Sequence, residues 1–160
     1  MAKRIAKTNA ARMLDKERID YEVLQYEVAD GKVDGVSVAA KIGYPNEQVY
    51  KTLVASGHSK QIYVFIIPVA HELDLKLAAK AAGEKKVELV PVKDILSITG
   101  YIKGGCSPLG MRKLYPTFMA EAALKLPEII VSAGKIGMQL KLKPQDLIRA
   151  VKAETAVISA

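Results

Sequence analysis

There is no tryptophan in this chain of 160 residues, and only two phenylalanines, two histidines and one cysteine. Each shortage removes a class of chemistry. With Cys106 alone no internal disulfide can form, and a reducing compartment, the cytoplasm, is expected. Two histidines and one cysteine are too few for a zinc site built on those ligands, so the sequence calls for no metal and no cofactor. Apolar runs are short, none approaching the roughly 20 residues of a bilayer span. The basic N-terminus MAKRIAKTNAARML has a helical pattern without a long apolar stretch or a small-residue cleavage signal, and a soluble protein is expected. Acidic residues are scarce too, 17 against 24 lysines and arginines, which leaves a formal charge of +7. That excess favours an anionic partner, because lysine and arginine displace counterions from phosphates. Charge alone does not separate a nucleic-acid binder from a basic protein that binds none.

What is present is ample apolar material, half of all residues, enough for one domain over 1–160 with its own core. Thr8 is a helix N-cap, and Ala11, Met13, Leu14 and Ile19 give part of an apolar face to a helix reaching about Arg18. Tyr21 to Val28 alternates as a strand does. Ser37 to Ile42 before Gly43 reads as a short helix with a glycine stop. Val49 to Ala55 and Gln61 to Ile67, separated by Ser-Gly-His-Ser, predict an antiparallel hairpin. Glu72 to Ala82 predicts a helix ended by Gly83, Lys86 to Val90 a strand, and Val92 to Ile98 another helix. Thr117 to Leu124 fits neither pattern cleanly. Glu128 to Ser132 and Met138 to Leu142 are strands, Pro144 opens a helix to Ala153, and Thr155 to Ile158 is a final edge strand. Interleaved helices and hairpins imply a mixed α/β or α+β fold with a mostly antiparallel, curved sheet.

Three features carry chemistry. In Tyr50-Lys51-Thr52-Leu53-Val54 a lysine and a threonine interrupt an apolar strand, with Lys51 on the face opposite Tyr50 and Thr52. Such a lysine is either a solvated edge charge or a contact to phosphate or ester oxygen. The segment Gly104-Gly105-Cys106-Ser107-Pro108-Leu109-Gly110 exposes backbone N–H groups that can hold an oxyanion or a phosphate, unless it is an ordinary tight turn. It has neither the spacing of a phosphate-binding GxxxxGK[ST] loop nor a GxSxG elbow. Ser132-Ala133-Gly134-Lys135-Ile136-Gly137 is a second small-residue turn bearing a hydroxyl and a lysine. Cys106 between glycine and serine reads as a small half-buried residue, and His58 and His71 have no evident partners, so no nucleophile-base pair can be assembled.

In order, YKTLV at 50–54, AAK at 78–80 with its following KKVE, TGYIKGGCSPLG at 99–110, VSAGKIG at 131–137 and PQDL at 144–147 resemble the YbaK-type deacylases. These are relatives of the editing insertion domain of bacterial prolyl-tRNA synthetase. The resemblance covers nearly the whole chain. It implies a mixed sheet of six or seven strands, partly closed into a barrel and flanked by helices, with a cleft for the aminoacylated 3′ end of tRNA. It implies release of cysteine from mischarged Cys-tRNA(Pro), the substrate's own thiol attacking the ester carbonyl to leave as a cyclic thiolactone. By the same resemblance Lys51, Gly104, Gly105 and Ser107 form the catalytic set. Tyr26, Thr52, Pro108, Gly110, Ser132, Gly134 and Lys135 bind substrate, and a wall position that is aromatic in some relatives falls near Val33 or Asp34. Prolyl-tRNA synthetase is implied as a transient partner. Two other readings stay open at this point. One is an alanyl-tRNA(Pro) deacylase using water, and the other a non-catalytic module that binds tRNA or synthetase.

Overall fold

The computed structural model describes residues 7–160, so the helical pattern expected over residues 1–6 lies outside the described part. Thr8 caps the first helix, α1 (Asn9–Lys16), by accepting from the Ala11 amide. Strand β1 (Glu22–Gln25) follows, then helix α2 (Gly35–Ile42). The helix starts two residues before the expected Ser37, with Asp34 as its N-cap, and Gly43 closes it in the left-handed conformation that glycine tolerates. The expected hairpin forms as β2 (Tyr50–Gly57) and β3 (Ile62–Pro68), with Lys51 opposite Ile67 and Thr52 opposite Ile66.

Helix α3 (Leu75–Ala82) starts three residues later than expected. Asp74 takes the cap from the Lys76 and Leu77 amides, and Leu73 is drawn into an extended bridge with Ser159. Strand β4 (Val87–Leu89) and helix α4 (Val92–Thr99) lead into the glycine-rich loop. The ambiguous stretch resolves into β5 (Thr117–Ala120) and a 3-10 turn over Glu121–Lys125. The chain closes with β6 (Ile129–Lys135), β7 (Met138–Leu142), helix α5 (Pro144–Val151) opened by its proline, and β8 (Glu154–Ala156).

The strands form two sheets, β1-β7-β6 and β4-β2-β3-β5-β8. Four of the six strand pairings are antiparallel, and β3-β5 and β5-β8 are parallel. The mixed, mostly antiparallel sheet structure is as expected. The partly closed barrel of six or seven strands is not: eight strands are described, and they do not close. The reason lies in β2. Its far end, Ala55 to Gly57, is occupied by β4, and at its near end β6 meets the chain through a single parallel bridge, Val49 to Ile130. Beyond that bridge the two sheets part. Phe65, Ile66, Ile67, Met119, Leu140 and Leu147 are fully buried between sheets and helices, each contributing about 1.5–3 kcal/mol by leaving water.

Candidate active site

The parting of the sheets makes the site. Two residues on from the Val49–Ile130 bridge lie Lys51 on β2 and Ser132 on β6, so the parallel start leaves them facing across the gap as the strands diverge. On β7, Gln139 is the register partner of Ser132. These residues line a cleft of about 650 Å³, together with Val33, Asp34 and Gly35 at the head of α2, Tyr50, Thr52, and Lys103 to Gly104 with Cys106 from the glycine-rich loop. Both faces of β2 contribute, although strict alternation would give the cleft only one. Here β2 lacks β4 as a neighbour, and its open edge brings Lys51 and Leu53 to the cleft along with Tyr50 and Thr52.

Glycine fixes the walls where side chains would not fit. A Cβ on Gly35 would lie 2.5 Å from Val69 Cγ1, so the helix can enter this closely only without one. The two loops meet in the same way, a Cβ on Gly105 falling 3.1 Å from the Ile136 backbone nitrogen. Gly134, at φ +91°, leaves room for the ring of Tyr101, whose hydroxyl donates to the Leu109 carbonyl at 2.7 Å and ties the loop to the β6-β7 turn.

Polar groups in the cleft differ in what they have left to offer. Ser132 Oγ accepts from the Gly134 amide at 3.1 Å, which leaves its hydroxyl proton free to donate. The hydroxyls of Thr52 and Tyr50 are buried with no hydrogen-bond partner among the described residues, as is that of Tyr26. Such a group costs about 1–3 kcal/mol until something pairs with it. Burial alone pushes the Tyr50 phenol up to about 12. The Asp34 carboxylate is held below its ordinary value, first by the Ser37 hydroxyl and then by the Ser37 amide, which donates at 3.1 Å; it is committed to capping α2. Burial also drives the Cys106 thiol up to about 11, which keeps it protonated and unfit as a nucleophile. No carboxylate lies within ion-pair distance of Lys51 among the described residues.

Of the residues read from sequence, Lys51, Thr52, Gly104 and Ser132 come together in the cleft. Gly105 stands behind the wall, its amide given to the Ile102 carbonyl at 3.0 Å. Ser107 is fully buried and accepts from the Leu109 amide, so its hydroxyl serves the turn. Pro108 is buried, Gly110 packs on the backbone of Asn9, and Gly134 packs on Tyr101. Lys135 is exposed at the hairpin tip, and Tyr26 stays outside the lining, its amide bonded to the Gly137 carbonyl. Val33 and Asp34, near which a wall position was expected, do line the cleft, and sequence reading missed Gln139 and Lys103. Gln139 had left a signal, as a polar residue in the apolar run Met138 to Leu142.

The cleft thus offers the ammonium groups of Lys51 and Lys103 and unpaired hydroxyls, and no metal-binding cluster is found among the described residues. Residues 32–150 match the aminoacyl-tRNA editing domain. The chain belongs to that family. Within it, a protein of Enterococcus faecalis named as a candidate Cys-tRNA(Pro)/Cys-tRNA(Cys) deacylase, EbsC, is 42% identical over 153 residues, 96% of this chain and 93% of that one. Two crystal structures share the editing-domain fold. One, of a hypothetical protein, superposes with a TM-score of 0.87 at 20% identity, covering 96% of this chain and all of that one. The other, described as a candidate trans-editing enzyme for prolyl-tRNA synthetase, gives 0.81 at 21% identity, covering 97% and 99%. No described helix of this editing domain is long and apolar enough to cross a membrane.

Proposed function

We propose that this editing domain acts on its own to release cysteine from mischarged Cys-tRNA(Pro). The observation that carries the reading is the 42% identity, nearly end to end, to a protein named for that activity. It is supported by a cleft that can run such a reaction without a protein nucleophile. An aminoacyl ester is already activated. The substrate's thiol attacks its own carbonyl carbon, a C–S bond forms as the C–O bond to the ribose breaks, and the ribose oxygen leaves with the proton given up by the thiol. The products are a cyclic thiolactone and free tRNA. Because the attack is intramolecular, holding the ester in the bent conformation supplies most of the rate.

In this reading Lys51 anchors the phosphate or ribose of the terminal nucleotide, as a point charge rather than a base. Ser132, whose proton is free, and the Gly104 amide donate to the carbonyl oxygen as negative charge develops on it. Thr52 pairs its unmatched hydroxyl with the substrate. Gly105, Ser107, Pro108, Gly110 and Gly134 hold the loop shape, and Lys135 and Tyr26 flank the site. Alanyl and prolyl esters carry no thiol and are spared by the chemistry itself. Prolyl-tRNA synthetase is the partner from which such a substrate is delivered.

The test is a deacylation assay on cysteinyl-, alanyl- and prolyl-tRNA(Pro), run with the unaltered chain and with Lys51→Ala. Selective loss of the cysteinyl ester is expected, with kcat/KM for Lys51→Ala down on the order of 100-fold, the worth of one charged hydrogen bond of about 3 kcal/mol. Circular dichroism should show the variant folded. Near-normal turnover by Lys51→Ala, or equal release of alanine, contradicts the proposal.

A further inference from the structure

In the deacylase reading Lys51 takes one terminal phosphate, and two further lysines stand on the loops at and beside the cleft. Lys103 lines the cleft from the glycine-rich loop and is exposed. Lys135 is exposed on the β6-β7 turn. The two loops are pressed together, since a Cβ on Gly105 would lie 3.3 Å from the carbonyl carbon of Lys135 and 3.1 Å from the nitrogen of Ile136. Neither ammonium has a carboxylate within ion-pair distance among the described residues. The one carboxylate lining the cleft, Asp34, is turned to the Ser37 amide.

We infer that Lys103 and Lys135 form a second phosphate-binding position at the mouth of the cleft, which takes the phosphodiester backbone of the single-stranded RNA leading to the nucleotide at Lys51. This rests on the deacylase reading of the cleft. Ammonium groups on two adjoining loops suit a backbone that runs past them, each neutralising one phosphate. Base stacking does not compete as an explanation. Tyr50 is the single aromatic residue of the lining and is 2% exposed, so no ring is offered as a platform for bases. The position therefore reads the presence of RNA and not its sequence. It adds affinity for long substrates without touching the reacting atoms.

The experiment pairs binding with turnover in Lys103→Ala/Lys135→Ala, with Lys125→Ala as a charge-matched control. Lys125 is exposed beside a separate cavity near His71. Anisotropy with an uncharged tRNA(Pro) transcript, over a salt series, should show the double variant binding on the order of tenfold more weakly. Its log–log salt slope should be shallower by about 1.4, at roughly 0.7 per single-strand phosphate. In the double variant kcat/KM for cysteinyl-tRNA(Pro) should fall on the order of tenfold further than kcat/KM for the cysteinyl ester of adenosine monophosphate, which keeps only the terminal phosphate. An unchanged salt slope, an equal loss in Lys125→Ala, or equal slowing on the short ester overturns the inference. Lysine-dependent tRNA binding by a chain that releases no cysteine would instead sink the deacylase reading and leave the phosphate position standing.

Discussion

Thr52 and Cys106 both face the cleft, and their physical states assign them opposite weights. The Thr52 hydroxyl has no partner within the described chain, so the fold gains nothing from it. Thr52→Val should then leave thermal stability unchanged or slightly raised, while kcat/KM falls about tenfold, the worth of one hydrogen bond to substrate. A loss of stability that matches the loss of activity would show the hydroxyl to be structural. Cys106 is the reverse case, half-buried and protonated with its pKa near 11. Cys106→Ala should keep turnover within about twofold, with the same pH profile, because in the proposed reaction the reacting thiol belongs to the substrate. At this scale the cleft positions of Lys51, Thr52 and Ser132 were legible, because each is a polar residue that interrupts an apolar strand. Ser107 shows the limit. A serine in a glycine-rich loop looks the same in sequence whether its hydroxyl faces a ligand or, as here, the next turn of its own backbone.

Among the elements, α2 and the two loops set the cleft's width by close backbone approach. Gly134→Ala would place its Cβ 2.6 Å from the Tyr101 ring at a φ of +91°. Overpacking and the left-handed backbone together should cost about 2–4 kcal/mol, measured by denaturant unfolding. Near-wild-type stability would mean that Tyr101 yields easily and does not lock the loops. Acid should loosen the head of α2. The Asp34 carboxylate is held below its ordinary 3.8, so its capping contribution is full above that value and fades as pH falls through the lower folded one. Backbone amide exchange at Val36 to Val38 should rise in that window, and Asp34→Asn, which keeps a cap without a titrating group, should flatten the response. Most element boundaries were legible from caps and periodicity, as at Thr8, Gly43 and Pro144. The start of α3 was not, because Leu73 pairs with Ser159, far away in sequence, and Asp74 then caps the shortened helix.

On the scale of the whole molecule, the cleft follows from two sheets that meet at one bridge, Val49 to Ile130, and then part. Neither the failure to close nor the single Val49–Ile130 bridge can be read from local pattern, because both depend on where β4 ends along β2. The two glycine-rich segments were legible as loops, and they meet at Gly105 and Ile136. Gln139 was not legible, since it reaches the cleft through its register with Ser132. In the proposed reaction the assembled cleft is a place to hold an ester while its own side chain cleaves it. The most direct test identifies the product released from cysteinyl-tRNA(Pro), with seryl-tRNA(Pro) alongside as a substrate of similar size and weaker nucleophile. The account predicts cysteine thiolactone as the first product and little release of serine. Free cysteine as the first product, formed as fast as serine from its own ester, would contradict it.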